Sequence, residues 1–220
     1  MTLNSDTSKN YNKSQIAIDN KAEKIETEKI NSSVWLERKT FRIALIGTFT
    51  ALAIVLGYLL AYVPNIELFT LMIFLSGFIL GKRDGIIIGL FSSFIFCFFN
   101  PISPSPLPLL MFQLFHYSLT GLLGGISSDY MGKKEWLEHN ADLYIFPVMA
   151  FFGLLGALIT INFQIFASLV SVLSIYGSLD QLLPYFLTGI ILTVIHIIGN
   201  TLGFIFILPE LIQLIKKMVY

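Results

Sequence analysis

Seven polar side chains lie inside otherwise apolar stretches of this 220-residue chain: Gln113, His116, Tyr117, Asn162, Gln164, His196 and Asn200. Burying such groups without partners costs roughly 2–7 kcal/mol each, depending on the reference state. They therefore tend to face the inside of a helical bundle, where they bind one another or a solute. Gln113 and Tyr117 share a helix face at i,i+4, as do His196 and Asn200. Gln113, Tyr117 and His196, together with Asn65, Glu67 and Asn162, make a candidate substrate-binding set. Plain interhelical hydrogen bonding competes with that reading at every one of these positions. Glu67 also fits a helix N-terminus, where the helix dipole favours a carboxylate. The chemistry on offer is recognition. Residues 77–84 miss a phosphate-binding loop by one residue and lack its hydroxyl, and no H-E-x-x-H or G-x-S-x-G string occurs. None of His116, His139 and His196 has metal-ligand spacing to another, so neither metal nor cofactor is expected, and catalysis is not expected.

The elements that must hold these residues are membrane helices. Hydrophobic residues make up 55% of the chain and charged residues 13%, where a soluble domain carries about 25% charged residues. Apolar runs over about 41–63, 66–81, 86–99, 108–126, 143–172 and 184–208 predict six spans. The second and third are short, and the fifth is long enough for its outer end to bend into a lid. Asn100 to Pro108, rich in proline, predicts a stiff extended loop.

The basic residues set the orientation. Of the 14 Lys and Arg, eight precede residue 43, and the rest are Lys82, Arg83, Lys133, Lys134, Lys216 and Lys217. Each cluster is separated from the next by two apolar stretches, while the loops near 64–67, 100–107 and 171–183 have none. Basic loops stay cytoplasmic, so both termini are expected inside the cell and Glu67 and Asp180 outside. The fold class expected is an all-α integral membrane protein with six transmembrane helices, in the plasma membrane. Residues 1–34, mixed in charge and poor in apolar side chains, predict a disordered cytoplasmic tail without a signal-peptide core; residues 35–220 form the membrane domain. The charge mixture in the tail argues against nucleic-acid binding, and the lone Cys97 has no partner for a disulfide. The two outer carboxylates suit a cationic or a neutral polar solute better than an anion.

Small residues recur four apart: Gly47/Ala51, Ala53/Gly57/Ala61, Gly77/Gly81, Gly85/Gly89, Gly121/Gly125, Gly153/Ala157 and Gly199/Gly203. Such pairs let helix backbones approach closely in lipid. The stretch Asn65 to Gly85, followed by Gly89, Asn100-Pro101, Gln113 and Gly121-Leu-Leu-Gly-Gly125, resembles the substrate-binding S components of energy-coupling factor transporters. The resemblance covers residues 40–210 and extends to the layout of six short helices. It implies capture of a vitamin or related small molecule from outside, and partnership with a transmembrane coupling protein and two cytoplasmic ATPases. In that family the coupling surface carries Ala-x-x-x-Ala on the first helix. Gly47 and Ala51 occupy the matching positions, with one Ala replaced by Gly, and Ala53/Gly57/Ala61 is a competing register. Two other readings stand beside this one: a stand-alone transporter or channel, and a ligand-free membrane scaffold.

Overall fold

The computed structural model describes residues 39–60, 68–100, 103–134 and 142–219. Asn65, Glu67, Ala61 and the tail 1–34 lie outside the described residues. Seven helices account for nearly all of the described chain: α1 (Lys39–Leu60), α2 (Phe69–Leu80), α3 (Lys82–Phe98), α4 (Leu107–Lys133), α5 (Phe146–Tyr176), α6 (Leu182–Thr188) and α7, which begins at Ile190 and continues to Val219. Four of them, α1, α4, α5 and α7, are long and apolar enough to cross a membrane. Apolar side chains such as Leu59, Phe115, Leu154 and Ile191 are exposed on their outer faces. Helices apolar both inside and outside belong in lipid, so this is a multi-pass membrane protein.

α2 sits at the centre. Every residue in it but Ile79 is buried, as its all-round apolar sequence requires. Glycines make that burial possible. A methyl group on Gly85 would stand 2.6 Å from the Gly77 Cα and 2.8 Å from the Gly121 carbonyl carbon, so α2, α3 and α4 touch backbone to backbone. Gly89 lies against the Tyr117 backbone, Gly124 against Phe74, and Gly125 against Lys82. The expected pairs Gly77/Gly81, Gly85/Gly89 and Gly121/Gly125 thus each contribute at least one glycine to packing inside the chain. On α1, Ala53 and Gly57 face inward, and Gly57 packs on Phe69 and Phe96. Gly47 has nothing within 4 Å of its missing side chain, and Ala51 is exposed.

Several helix ends differ from the sequence expectation. The string Gly81-Lys82-Arg83-Asp84-Gly85 reads as a turn, yet only Gly81 turns, at φ 95°, and α3 starts at Lys82. Asp84 in its first turn favours the helix dipole and pairs with Arg42 of α1. α4 runs on to Lys133 because Asp129 pairs with Lys82 at 2.6 Å and Met131 is buried. α5 does not bend into a lid; it continues as one helix of 31 residues to a left-handed cap at Gly177. The last span divides at Gly189 into the short α6 and the long α7. Pro209 does not end α7, because a π turn over Gly203–Ile207 precedes it, with the Leu208 N–H donating to the Gly203 carbonyl. The wider turn relieves the clash that a proline ring makes with the carbonyl four residues back.

Arg42–Asp84 joins the start of α1 to the start of α3, and Lys82–Asp129 joins α3 to the end of α4. At the same end Tyr144, just before α5, donates to the Phe206 carbonyl of α7 at 2.8 Å. The basic residues Arg42, Lys82, Arg83, Lys133 and Lys134 accordingly gather at one end of the bundle. The starts of α4 and α7 and the close of α5 lie at the other.

Candidate functional site

At that second end a cavity of about 730 Å³ opens between the start of α4, the last turns of α5, α6 and the first turn of α7. Pockets of about 300–1,000 Å³ are the size that encloses a small organic molecule. Three glutamines line it, one from each wall: Gln113 on α4, Gln164 on α5 and Gln181 at the foot of α6. Four aromatic rings share the wall, Phe163 and Tyr176 on α5 and Tyr185 and Phe186 on α6. Hydroxyls of Ser168, Ser171, Thr188 and Thr193 fill in between them. No Asp, Glu, Lys or Arg of the described residues lines this space.

A polar seam leads from the cavity down between α5 and α7. The Gln164 amide meets His196 Nδ1 at 2.8 Å, and His196 Nε2 lies 3.1 Å from the Asn200 amide. Asn200 in turn donates to Thr160 Oγ1 at 2.9 Å, and the Thr160 hydroxyl donates to the Gly156 carbonyl at 2.8 Å. A neutral imidazole has one N–H and one lone pair, so one of the two amides must present its oxygen to the ring. Below Thr160 the seam stops. Phe204 packs on Gly156, and its ring lies 5.1 Å from Phe74, which meets Phe152 edge-on at 6.3 Å. All three rings are fully buried.

The structure brings part of the candidate set together. Gln113 lines the cavity, and its Oε1 is buried with no hydrogen-bond partner among the described residues. His196 sits one layer beneath, reaching the cavity through Gln164. Tyr117 lies deeper, edge-on to Phe69 at 4.8 Å, and belongs to the core. Asn162 is exposed on the outside of α5 and lines no part of the cavity. Asp180 is exposed and receives the Ser178 hydroxyl at 3.3 Å. Beyond the candidate set, Gln164 faces inward two residues after Asn162. Neighbours two apart on a helix point about 200° apart, so only one of them can face the bundle. The i,i+4 spacing of Thr160, Gln164 and Ser168 carried that signal.

No family model, curated protein or solved structure matches the chain. What the geometry supports directly is a small multi-pass membrane protein of the transporter or channel kind.

Proposed function

We propose that the chain is the solute-capture subunit of an energy-coupling factor importer, an S component, with no catalytic activity of its own. The observation that carries this reading is a cavity at one end of the bundle, closed beneath by Phe74, Phe152 and Phe204. Opening a route past them would separate helices held at Gly156, Gly85 and Gly124 by direct contact. A cavity with a sealed floor suits binding, with transport supplied by movement of the whole subunit against a partner. The basic end then faces the cytoplasm and the cavity faces outward. Six crossings follow if α2 and α3, about 18 and 26 Å long at 1.5 Å per residue, count as short spans. The plasma membrane is the expected location. The open face of α1 at Gly47 and Ala51 is the docking surface for a transmembrane coupling protein, which is driven by two cytoplasmic ATPases.

The test is reconstitution. Vesicles holding only this chain should retain a small molecule that co-purifies with it, and release it on denaturation for mass spectrometry. They should not accumulate it under a proton, sodium or electrical gradient. Accumulation by the chain alone would end this reading.

A further inference from the structure

We propose that the cavity selects an uncharged, flat aromatic solute carrying an amide or hydroxyl donor; this rests on the solute-capture reading and specifies its substrate class. The sequence left cationic and neutral solutes open, and the described lining favours the neutral class. Gln113, Gln164 and Gln181 present amides, and the other polar groups are hydroxyls. A formal charge bound here would lose its water to a site where no described side chain carries an opposite charge, and that loss is large inside an apolar bundle.

Flatness follows from the rings. Phe163 forms one wall within an aromatic group: Phe112 lies 5.9 Å from it and His116 5.0 Å. Tyr185 and Phe186 face the same space from α6. Walls of this kind favour a planar π system stacked or edge-on between them. The donor follows from Gln113. Its buried Oε1 accepts from no described residue, so an N–H or O–H on a solute that reaches it would satisfy an acceptor that otherwise costs stability. Gln164 has one amide atom engaged by His196 and keeps the other for a second hydrogen bond.

The experiment is equilibrium dialysis at pH 7 against the full chain in lipid nanodiscs. The probes are three indoles that differ in charge, namely indole-3-acetamide, indole-3-acetate and tryptamine, together with the non-aromatic pentanamide. Indole-3-acetamide should bind about tenfold tighter than either charged indole and than pentanamide, the scale of one buried hydrogen bond or charge mismatch. Gln113→Leu should weaken indole-3-acetamide about tenfold, and Gln113→Glu should turn the preference toward tryptamine. Equal or tighter binding of indole-3-acetate or tryptamine to the unaltered chain overturns the proposal. So does binding of none of the four, or an unchanged affinity in both Gln113 variants. Tight tryptamine binding would replace the substrate class and leave solute capture standing. Energised uptake by the chain alone would do the reverse.

Discussion

Substituting Gly85 by alanine tests the packing that holds the cavity's floor in place. A Cβ there would lie 2.6 Å from the Gly77 Cα and 2.8 Å from the Gly121 carbonyl carbon, while ordinary contact begins at 3.4 Å. The two neighbours must therefore retreat by about 0.8 and 0.6 Å, differences taken from those distances. Both are backbone atoms of buried helices and cannot turn aside as a side chain would. Overpacking of this kind costs about 1–3 kcal/mol, and two backbones at once put Gly85→Ala toward the upper part of that range. Alanine returns up to about 1 kcal/mol as a better helix former. The expected net loss is about 2 kcal/mol, a change of roughly thirtyfold in the folding equilibrium. Gly47→Ala is the matched control, since nothing lies within 4 Å of that position; it gains the same propensity and meets no clash. Mixed-micelle denaturation in rising fractions of dodecyl sulfate, followed by circular dichroism, measures both. If Gly85→Ala proves as stable as Gly47→Ala, the helices are not in backbone contact and the argument for a sealed floor falls with it.

On a Cys97→Ala background, cysteines at Ser103 and Leu179 should label with an impermeant thiol reagent from outside intact cells, and one at Gly132 should not; the reverse pattern would invert the proposed orientation. Arg42→Ala leaves the Asp84 side chain, 5% exposed, without its cation. Because the Arg42 side chain is 45% exposed, the expected loss is about 1–3 kcal/mol in the same denaturation assay, between surface and buried pairs, and Asp84→Asn should recover part of it. His196→Leu removes the ring that meets Gln164 and one of the two partners of Asn200 and should cost about 1–3 kcal/mol, whereas Asn162→Leu should stay within about 0.5 kcal/mol of the parent; comparable losses would contradict the placement of the seam. Gly47→Trp and Ala51→Trp should leave small-molecule retention intact while abolishing uptake and co-purification with a coupling protein, and normal uptake in both would remove α1 as the docking face.

The helical class and the packing glycines were legible in the sequence because each rests on a local rule. Apolar runs of span length announce helices, and small residues four apart announce close approach, as Gly85 and Gly121 do. Side chains that report on tertiary surroundings were harder. Lys82 and Asp84 look like loop residues until Asp129 and Arg42 supply the partners that let α3 and α4 extend past the apolar stretch. Pro209 looks like a stop until a π turn makes room for its ring. For the site, polarity within a span marks Gln113 and His196, both of which lie on the inner side of their helices, but polarity alone cannot choose between Asn162 and Gln164. That choice depends on where His196 stands, a fact about α7 rather than α5. The hydroxyls and rings of α6 went unmarked because Tyr185 and Thr188 are ordinary residues at a membrane helix end, and only the break at Gly189 folds them over the cavity.

The seam through His196 also has a direction. With one proton on the ring, either Gln164 or Asn200 offers its oxygen, and the two choices differ by an exchange of amide nitrogen and oxygen with the backbone unmoved. Moving that proton from one nitrogen to the other, rotating both amides and turning the Thr160 hydroxyl from Gly156 to Asn200 would reverse the chain of donors from the cavity to Thr160, with no displacement of a helix. A solute that takes a hydrogen bond from Gln164 favours one direction, and one that gives a hydrogen bond favours the other. The news that the cavity is filled could thus reach the buried floor as a reversal of polarity, legible in the nitrogen-15 shifts of the His196 ring and silent in backbone positions. Ring shifts that stay fixed while a solute binds would show that the arrow does not turn.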